Sequence, residues 1–320
     1  MQVVYFPYNA DLPDIAASIG FFDGVHRGHK FLISQIIDEA QRCNLKSAVI
    51  TFKNHPKKEI DPNSCPLLLN SFDEKIKQLE PLGLDYCFVI DFNHKLRELT
   101  AGEFIKDVLS KMMNVKKLII GYDHRFGKDR AEGFEQYKIY GGKCGMEVVK
   151  ENDFAPDDIK ISSSKIRKCL LNGDVREAAK LLGYSYFIGG HVERGHQIGR
   201  TIGFPTANLM INDVEKLIPE NGVYYCVAEI DGKWYNSMVN IGVRPTVSSS
   251  NNVSIEAHVL DYSSSLYGYE IKLYFVERIR NEIKMNSLDE LKDRLVDDKF
   301  EVKKLSSIVD LDNKIIDLLN

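Results

Sequence analysis

The chain has little cysteine, no long apolar run and no excess of positive charge. Its six cysteines are scattered over 320 residues and form no C-x-x-C pair, which argues against a zinc ribbon or a disulfide framework. No apolar stretch approaches the roughly 18 residues of a membrane span. The net charge of −4 leaves no general basic surface for nucleic acid. With no signal peptide in view, we expect a cytoplasmic protein that binds neither nucleic acid nor membrane.

The length is sufficient for two domains, and 44% hydrophobic with 28% charged residues is typical of a globular protein. Strands and helices alternate before residue 184, which predicts a doubly wound parallel α/β domain over residues 1–184. Strand patterns dominate afterwards, which predicts a small antiparallel β-barrel with terminal helices over residues 185–320. An oligomer is compatible with either domain, but no pattern specifies one.

Apolar periodicity predicts the elements of the first half. We expect a buried strand over residues 15–22, a helix that begins near Gly28 or His29, and a capping box at Thr100 and Glu103. Three polar segments, residues 20–29, 51–56 and 121–133, each follow a strand end, where ligands bind in such sheets. The further predicted strands are 47–52, 86–92 and 115–121, and the further helices are 73–79, 104–113, 165–171 and one that starts after Asp174 and ends at Leu182.

The most informative stretch is GFFDGVHRGH, residues 20–29, which joins the first strand to the first helix through an Asp-Gly turn. A helix start presents unpaired N–H groups and partial positive charge, and both attract phosphate. Gly28 has no Cβ, so a ligand can approach its backbone closely. His26 and His29 can face the same ligand across the first turn and stabilise charge on transferring phosphates.

Each of these residues also has a plainer interpretation. A histidine is more often a structural residue than a ligand, and Asp-Gly is more often only a turn. The two histidines could bind a metal, but no cysteine or carboxylate stands at a supporting zinc spacing. The combination of strand, turn, His-x-Gly-His and helix is much rarer than its parts, and it favours a nucleotide phosphate site.

The stretch resembles the His-x-Gly-His signature of the nucleotidylyltransferase superfamily. With Phe-Asp-Gly-Val ahead of it, it is similar to prokaryotic bifunctional riboflavin kinase/FAD synthetases. The resemblance implies a Rossmann-like domain that transfers AMP from ATP to FMN and releases FAD and pyrophosphate. It also implies that His26 and His29 are catalytic and that the nucleotide is bound at Gly20, Phe22, Asp23, Gly24 and Gly28.

Two later segments extend this resemblance. GYDHRFGKDRAEG, residues 121–133, is either a solvated basic loop or, as in the resembled family, part of the flavin and nucleotide site. The serines of ISSSKIR, residues 161–167, either cap a helix or join its cations around a triphosphate. The likeness to the superfamily signature ISSTxIR favours the second interpretation. The residues implied to bind nucleotide or flavin here are Asp123, Arg125, Ser163, Ser164 and Arg167.

The second half is rich in strand signals. Asp231-Gly232 predicts a hairpin between strands over residues 222–230 and 233–241. Further strands are expected over residues 254–261 and 270–280. Ser287-x-x-Glu290 predicts the cap of a terminal helix, and a second helix is expected over residues 302–319.

One loop of this half, GHVERGHQIGRTIGFPTANL, carries several glycines but no Walker A spacing, so any kinase here is of another class. The hydroxyl of Thr206 and the amide of Asn208 face the same side of an extended segment. Neutral oxygens of this kind, with phosphate and water, suit Mg²⁺. A strand that ends in an Asn turn is the alternative interpretation.

This block resembles the riboflavin kinase signature GxVxxGxxxGRxxGFPTAN, and NIGVRPT and IEAHVLDY follow in family order. The resemblance implies transfer of the γ-phosphoryl group of ATP to riboflavin, with Mg²⁺ at Thr206 and Asn208. Glu256 would accept the ribityl hydroxyl proton, as a carboxylate can, although a surface glutamate paired with a cation is the alternative. The implied binding residues are Gly190, Gly195, Gly199, Arg200, Gly203, Phe204, Pro205, Thr206, Asn208 and Arg244.

Together the motifs predict a bifunctional enzyme of FAD biosynthesis that handles riboflavin, FMN, FAD and ATP with Mg²⁺. Two other classes stay open. A different adenylyl- or cytidylyltransferase fused to an unrelated barrel would not turn over riboflavin. A flavin-binding regulator or an RNA-binding protein would not need an intact histidine pair or Glu256. A single-function enzyme with one idle site is a third possibility.

Overall fold

The structure is a computed structural model that describes residues 1–8, 11–61, 64–121, 125–128, 132–150, 161–194, 198–243 and 253–307. The chain separates into two compact units, Met1–Ser162 and Ser163–Asn320. The predicted boundary lies further along, at residue 184. The difference arises because the two helices between these points pack within the second unit, one of them against a barrel strand. The domain boundary itself stays a prediction.

The first unit is built on a six-stranded parallel sheet. In sheet order β1-β4-β3-β2-β5-β6, the sequence reverses direction between β2 and β5. Such a reversal opens a crevice at the carboxyl ends of the central strands. The strands are β1 Gln2–Tyr5, β2 Ile15–Ile19, β3 Lys46–Phe52, β4 Tyr86–Ile90, β5 Val115–Ile120 and β6 Glu147–Lys150.

Helices cover both faces of this sheet. Alternate residues of β2 face different apolar clusters: Ala16 packs with the cluster under α1 and α3, whereas Ala17 packs with the cluster under α6. The predicted doubly wound α/β architecture is therefore confirmed. The helices are α1 Arg27–Arg42, α2 Pro56–Ile60, α3 Phe72–Leu79, α4 His94–Arg97, α5 Ala101–Glu103, a π-helical stretch Phe104–Met112 and α6 Phe134–Lys143.

Two predicted boundaries in this unit are wrong by a few residues. The first strand ends at Ile19 rather than at residue 22, because the backbone of Phe22 already lies in the left-handed region, with φ 55°. The first helix begins at Arg27 because His26 itself caps it. The predicted capping box is present: Thr100 Oγ1 accepts from Glu103 N at 3.3 Å, and Glu103 Oε2 accepts from Thr100 N at 2.9 Å.

The second unit contains a closed antiparallel barrel of six strands in the order β10-β11-β8-β7-β12-β9, which confirms the predicted barrel. Asp231 and Gly232 form the predicted hairpin turn with φ 48° and 72°. The strands are β7 Phe187–Glu193, β8 Ala207–Ile211, β9 Gly222–Ile230, β10 Lys233–Val243, β11 Val253–Val259 and β12 Glu270–Arg280, and the helices are α7 Ser163–Leu171, α8 Val175–Leu182, α9 Ile198–Thr201 and α10 Leu288–Ser306.

The terminal helix α10 is anchored by a buried ion pair. Asp298, 2% exposed, accepts two hydrogen bonds from the guanidinium of Arg280 on β12, at 2.8 and 2.7 Å. The helix continues through residue 306 because no glycine or proline interrupts it, so the predicted start of a separate helix at residue 302 is wrong. Residues 308–320 lie outside the described part of the chain. No helix within the described residues is both long enough and apolar enough to span a bilayer.

Candidate functional site

The first candidate site lies at the carboxyl ends of the central strands in the first unit. Residues 20–29 follow β2, residues 53–55 follow β3 and Gly121 follows β5. In a parallel sheet these ends share one edge, and the strand order reverses there. The structure thus brings together the beginnings of all three polar segments that the sequence singled out.

The turn after β2 holds two bulky residues in strained backbone conformations. Phe22 and Val25 have φ of 55° and 35°, in a backbone region that residues with a Cβ rarely adopt. Both side chains are buried, so packing holds them there. Asp23, 4% exposed, accepts hydrogen bonds from the backbone N–H groups of Leu69 and Asn70, at 3.0 and 3.2 Å. Its carboxylate therefore ties the turn to the segment before α3.

The two predicted catalytic histidines lie face to face across the first turn of α1. His26 is the N-cap, and its Nδ1 accepts from the backbone N–H of His29 at 3.3 Å. The rings stack with centroids 3.6 Å apart and an interplanar angle of 15°. A Cβ at Gly28 would lie 3.2 Å from the His26 ring, so glycine at this position keeps the stack uncrowded.

His29 is held in its uncharged form. Burial lowers its pKa well below the usual value, and the neighbouring His26 and Lys75 lower it further. Its Nδ1 is buried and has no hydrogen-bond partner among the described residues. The Phe22 ring meets it edge-on at 5.2 Å. An unpartnered, neutral imidazole at a helix N-terminus can exchange hydrogen bonds with a phosphate group.

The sequence interpretation missed Lys75, which lies beneath this turn. Lys75 is 2% exposed, and its ammonium contacts the Phe52 carbonyl at the end of β3 and the Phe21 carbonyl two residues after β2. One signal could have revealed it. Phe72, Ile76 and Leu79 form the apolar stripe of α3, with Leu79 buried and the other two partly buried, and Lys75 stands on the same face at helical spacing.

A small aromatic cavity of about 60 Å³ also lies in this unit. Four phenylalanines line it, and Phe126 comes from the GYDHRFG segment. Gly127 closes one wall, where a Cβ would lie 2.7 Å from the backbone nitrogen of Ala101. The sequence predicted this segment as part of the site but did not identify the other rings. The full lining is Ile19, Phe52, Phe92, Leu96, Arg97, Leu99, Phe104, Phe126 and Gly127.

The remaining predicted nucleotide-binding residues are dispersed. Arg125 is exposed, and Asp123 lies outside the described residues. Ser163 and Ser164 form the start of α7 in the second unit, with Arg167 one turn further along the helix. Gly20 precedes the turn, and a Cβ there would lie 3.2 Å from the Phe22 ring.

The second candidate site is on the barrel, where strand register brings Glu256 and Asn208 together. They are directly opposite each other on the antiparallel strands β11 and β8, so their side chains project from the same face as neighbours. Thr206 precedes Asn208 by two residues, just before β8 begins. The predicted base and the two predicted Mg²⁺ ligands therefore fall on one patch.

The loop before β8 depends on glycine for close approach. A Cβ at Gly199 would lie 2.2 Å from the Phe204 carbonyl oxygen. The backbone N–H of Phe204 donates a hydrogen bond to the Gly199 carbonyl oxygen at 2.8 Å. A Cβ at Gly190 would lie 2.1 Å from the Met210 carbonyl oxygen, across the β7–β8 pair. Gly203 has φ 87°. Gly195, Arg244 and the side chain of Arg200 lie outside what the structure describes.

A histidine that the sequence interpretation did not select supports this loop from below. His258, 6% exposed, bonds through Nδ1 to the Pro205 carbonyl oxygen at 2.9 Å, and its ring lies 5.3 Å from that of Phe204. Burial lowers its pKa, and the charge of Lys299 on α10 lowers it further. The neutral ring donates its Nδ1 proton to the carbonyl. In the sequence, only its position two residues after Glu256 on β11 indicates that His258 lies near the site.

Beside Thr206 lies a cavity of about 320 Å³. Apolar side chains and three consecutive serines share its surface. Its lining consists of Val192, Pro205, Thr206, Ala207, Ala257, Val259, Tyr262, Ser263, Ser264, Ser265, Leu266 and Tyr267. Mixed walls of this kind suit a planar organic group with polar substituents.

No cluster of three or more His, Cys, Asp or Glu side chains within the described residues could hold a metal ion. The donor set at Thr206, Asn208 and Glu256 is oxygen only. Mg²⁺ keeps several waters and takes one or two protein oxygens with substrate phosphates. The residues present therefore fit Mg²⁺ that arrives with a nucleotide, and they do not fit a zinc site.

Comparisons with known proteins cover most of the chain. A family model described as FAD synthetase matches residues 9–165, and one described as riboflavin kinase matches residues 182–306. The bifunctional riboflavin kinase/FMN adenylyltransferase of Escherichia coli (strain K12) is 35% identical over 288 residues, which cover 90% of this chain and 91% of that protein. The protein of the same description from Bacillus subtilis (strain 168) is 38% identical over 288 residues, with 89% and 90% covered.

A solved structure shares the fold. The crystal structure of a protein described as a macrolide-efflux protein from Streptococcus pneumoniae superimposes with a TM-score of 0.85 and 31% identity. It covers 95% of this chain and 99% of that one. The efflux description applies to that protein.

Proposed function

The chain belongs to the family of bifunctional riboflavin kinase/FMN adenylyltransferases, and from this premise we propose which residues perform its two reactions. It is an enzyme that phosphorylates riboflavin to FMN and adenylylates FMN to FAD. The family that the motifs predicted is confirmed. Riboflavin, FMN, FAD and ATP fit it as substrates and products. Its six free thiols suit the predicted cytoplasmic location, which stays a prediction.

Adenylyl transfer is assigned to the site beyond β2, β3 and β5. An FMN phosphate oxygen attacks the α-phosphorus of ATP, the bond to the β-phosphate oxygen breaks, and pyrophosphate leaves. Since the nucleophile is already anionic, alignment and charge stabilisation determine the rate. The observation that supports this assignment is the stacked pair of His26 and His29 at the N-terminus of α1, which attracts phosphate.

Further residues are proposed to take part, each described within its own unit. The aromatic cavity lined by Phe52, Phe104 and Phe126 suits one edge of the isoalloxazine ring of FMN, because aromatic faces stack. The first turn of α7, with Ser163 and Ser164, offers N–H and hydroxyl donors for a triphosphate, and Arg167 adds charge. The Asp23 carboxylate accepts from backbone N–H groups and so holds the turn, and its contact with the nucleotide stays a prediction.

Phosphoryl transfer is assigned to the barrel patch. The ribityl hydroxyl of riboflavin attacks the γ-phosphorus of ATP, Glu256 accepts the hydroxyl proton, and ADP leaves. The observation that supports this assignment is the direct pairing of Glu256 with Asn208 across β11 and β8, two residues from Thr206, which lines a cavity of about 320 Å³.

Mg²⁺ is proposed to bind at Thr206 and Asn208 together with ATP phosphate, since their neutral oxygens fit its preferences. When bound, it neutralises charge that develops on the transferring phosphoryl group. The protein residues hold the phosphates in line with the hydroxyl, and Glu256 holds the departing proton. The glycine contacts at Gly199 bring the loop backbone close to this patch.

The test is chromatography of products after the protein is mixed with riboflavin, ATP and Mg²⁺. We expect FMN first and FAD later. FMN alone would overturn the adenylyltransferase assignment and keep the kinase. No conversion of riboflavin, with FAD made from added FMN, would overturn the roles given to Glu256 and Asn208. Omission of Mg²⁺ with a chelator present should stop FMN formation.

A further inference from the structure

The side chain of Lys75 joins two strand ends beneath the adenylyltransferase site. Its ammonium donates hydrogen bonds to the Phe21 carbonyl at 3.1 Å, to Thr51 Oγ1 at 3.1 Å and to the Phe52 carbonyl at 2.9 Å. The Thr51 hydroxyl in turn donates to the Phe21 carbonyl at 3.1 Å. All three protons of the ammonium therefore have an oxygen acceptor, and the acceptors come from two separate segments.

These two segments are the ones that carry the polar loops of the site. Phe21 directly precedes the strained turn that leads to His26, and Phe52 ends the strand that precedes the loop with His55. The Phe21 ring lies 4.1 Å from the ammonium and meets the His55 ring at 4.5 Å. A displacement of the Lys75 side chain would therefore change the positions of both loops.

Burial of the ammonium has a large desolvation cost, which stability alone does not explain. Lys75 is 2% exposed, and Asp23 stabilises its charge without a salt bridge between them within the described residues. A methionine on the same buried stripe would pack without the desolvation cost of a charge. Retention of a charge at that cost is typical of sites where geometry or electrostatics serve function.

We propose that Lys75 is a positioning residue for adenylyl transfer, which fixes the turn bearing the two histidines by holding the ends of β2 and β3 together. The inference rests on the assignment of that reaction to the N-terminal unit. Lys75 touches no reacting atom in this role. It acts through the Phe21 carbonyl and through the strained backbone at Phe22, which needs external support to persist.

The charge of Lys75 gives this role a pH signature. Burial lowers the pKa of the ammonium to about 8, although Asp23 opposes the shift. The other titratable groups that face it are the neutral His29 on α1 and the Cys87 thiol on β4, whose pKa burial raises to about 11. His55 reaches it only through the Phe21 ring. Above about pH 8 the neutral amine has two N–H groups for three acceptors and no cation to place over Phe21.

Activity and stability should then move in opposite directions. The turn loosens as Lys75 loses its proton, so kcat/KM for adenylyl transfer falls as the pH rises through about 8. The unfolded chain keeps that proton up to the ordinary lysine pKa of about 10.4, so it binds more protons than the folded unit in this window. Stability of the unit therefore rises between these pH values. A purely structural lysine would not reduce activity while it raised stability.

The experiment measures FAD formation from FMN and ATP between pH 6.5 and about 10 in the full chain. The wild type, Lys75→Arg and Lys75→Met are compared, with FMN formation from riboflavin as the internal reference. Lys117→Met is the matched control. Lys117 is also 2% exposed in this unit, but it pairs with Glu39 and Glu147 at 2.6 and 3.0 Å, towards the amino end of β5.

We expect Lys75→Met to lower kcat for FAD formation by about 10- to 100-fold, the effect of a small misplacement of catalytic groups. FMN formation should stay within about twofold, since it occurs on the other unit. Lys75→Arg should retain activity and lose the fall above about pH 8, because arginine stays charged. Lys117→Met should lower thermal stability and keep both the rate and the pH profile of the wild type.

Three results would overturn the inference. One is a Lys75→Met protein that folds and makes FAD at the wild-type rate. Another is a wild-type profile without a descent near pH 8, which needs no variant and remains decisive if Lys75→Met fails to fold. The third is a Lys117→Met profile altered in the same way as that of Lys75→Met. If the wild type makes no FAD from FMN, the assignment of the reaction fails instead.

Discussion

The two candidate sites are supported in different ways. The adenylyltransferase site lies where several parallel strands end, and its parts come from connections that run in separate directions. A buried cation, Lys75, and a buried carboxylate, Asp23, tie these connections together. The kinase patch lies on antiparallel strands, where the register of β8 and β11 alone sets Asn208 beside Glu256.

This difference shows where each site is vulnerable. The β8–β11 pairing spans only two residue pairs, but β8 also pairs with β7 over four residues and β11 with β10 over seven. A single side chain therefore contributes little to this register. The edge of a parallel sheet has no such ladder beyond its last residues, and the turn after β2 is strained. Substitutions behind the first site should therefore reduce activity more than substitutions behind the second, where the largest losses are expected at the reacting groups.

The largest expected effect is that of Glu256→Gln. The amide cannot accept the ribityl proton, so kcat for FMN formation should fall by about 10²- to 10⁴-fold. FAD formation from FMN should be unchanged, as measured by separation of the products. Loss of both activities would show that the two sites are not separate, and retention of kinase activity would remove Glu256 from its role as base.

The next effect is on stability and tests which activity depends on the barrel unit. Asp298→Ala leaves the Arg280 guanidinium, only 12% exposed, without its partner. The free energy of unfolding of the barrel unit should fall by about 3 kcal/mol, as for other broken buried pairs. Denaturant titration followed by FMN formation should detect this loss. Because α7, with Ser163, Ser164 and Arg167, belongs to this unit, FAD formation should be lost over the same denaturant range. Persistence of FAD formation to the wild-type denaturant concentration would contradict the triphosphate role given to α7.

His29→Ala should cut FAD formation by about 10²-fold through loss of a preorganised hydrogen-bonding group, and should spare FMN formation. Gly28→Ala perturbs the same histidine pair more mildly. Its added methyl group would lie 3.2 Å from the His26 ring, so we expect a loss of about tenfold without removal of either imidazole. Full activity in both variants would contradict the role of the stacked pair.

The smallest effect is expected from His258→Phe, which keeps a ring beside Phe204 and removes the hydrogen bond to Pro205. FMN formation should fall only about three- to tenfold, the value of one hydrogen bond. Burial lowers the pKa of His258 in the folded unit, so the unfolded chain binds the proton first as the pH falls below about 6.5. The wild-type unit therefore loses stability on the acid side, and the variant should lose less. Identical acid profiles would contradict this.

Local patterns in the sequence predicted most of the fold and the site residues proposed to contact substrate. Capping boxes, the Asp-Gly hairpin and the helix start at His-x-Gly-His depend on neighbours a few residues apart. The helix α6 was not predicted, because Gly141 and Gly142 lie within it and glycine disfavours helix. Strand β6 was not predicted either, because its four residues are too few to show a hydrophobic alternation.

The supports of the sites could not be predicted for another reason. Lys75 meets Phe21 and Phe52 only because three separate segments end at one edge of the sheet, and no local pattern carries that information. The pairing of Asn208 with Glu256 likewise depends on how the barrel closes. The catalytic groups stand in recognisable motifs, whereas the residues that hold them are defined by topology.

The saturated hydrogen bonding of Lys75 has a spectroscopic consequence. An ammonium group with an oxygen acceptor for each proton and almost no exposure to water exchanges its protons slowly. In protein labelled with ¹⁵N at lysine, it should give a side-chain signal at neutral pH that the solvated lysines do not show. This signal would report directly on the adenylyltransferase site as nucleotide and flavin are added.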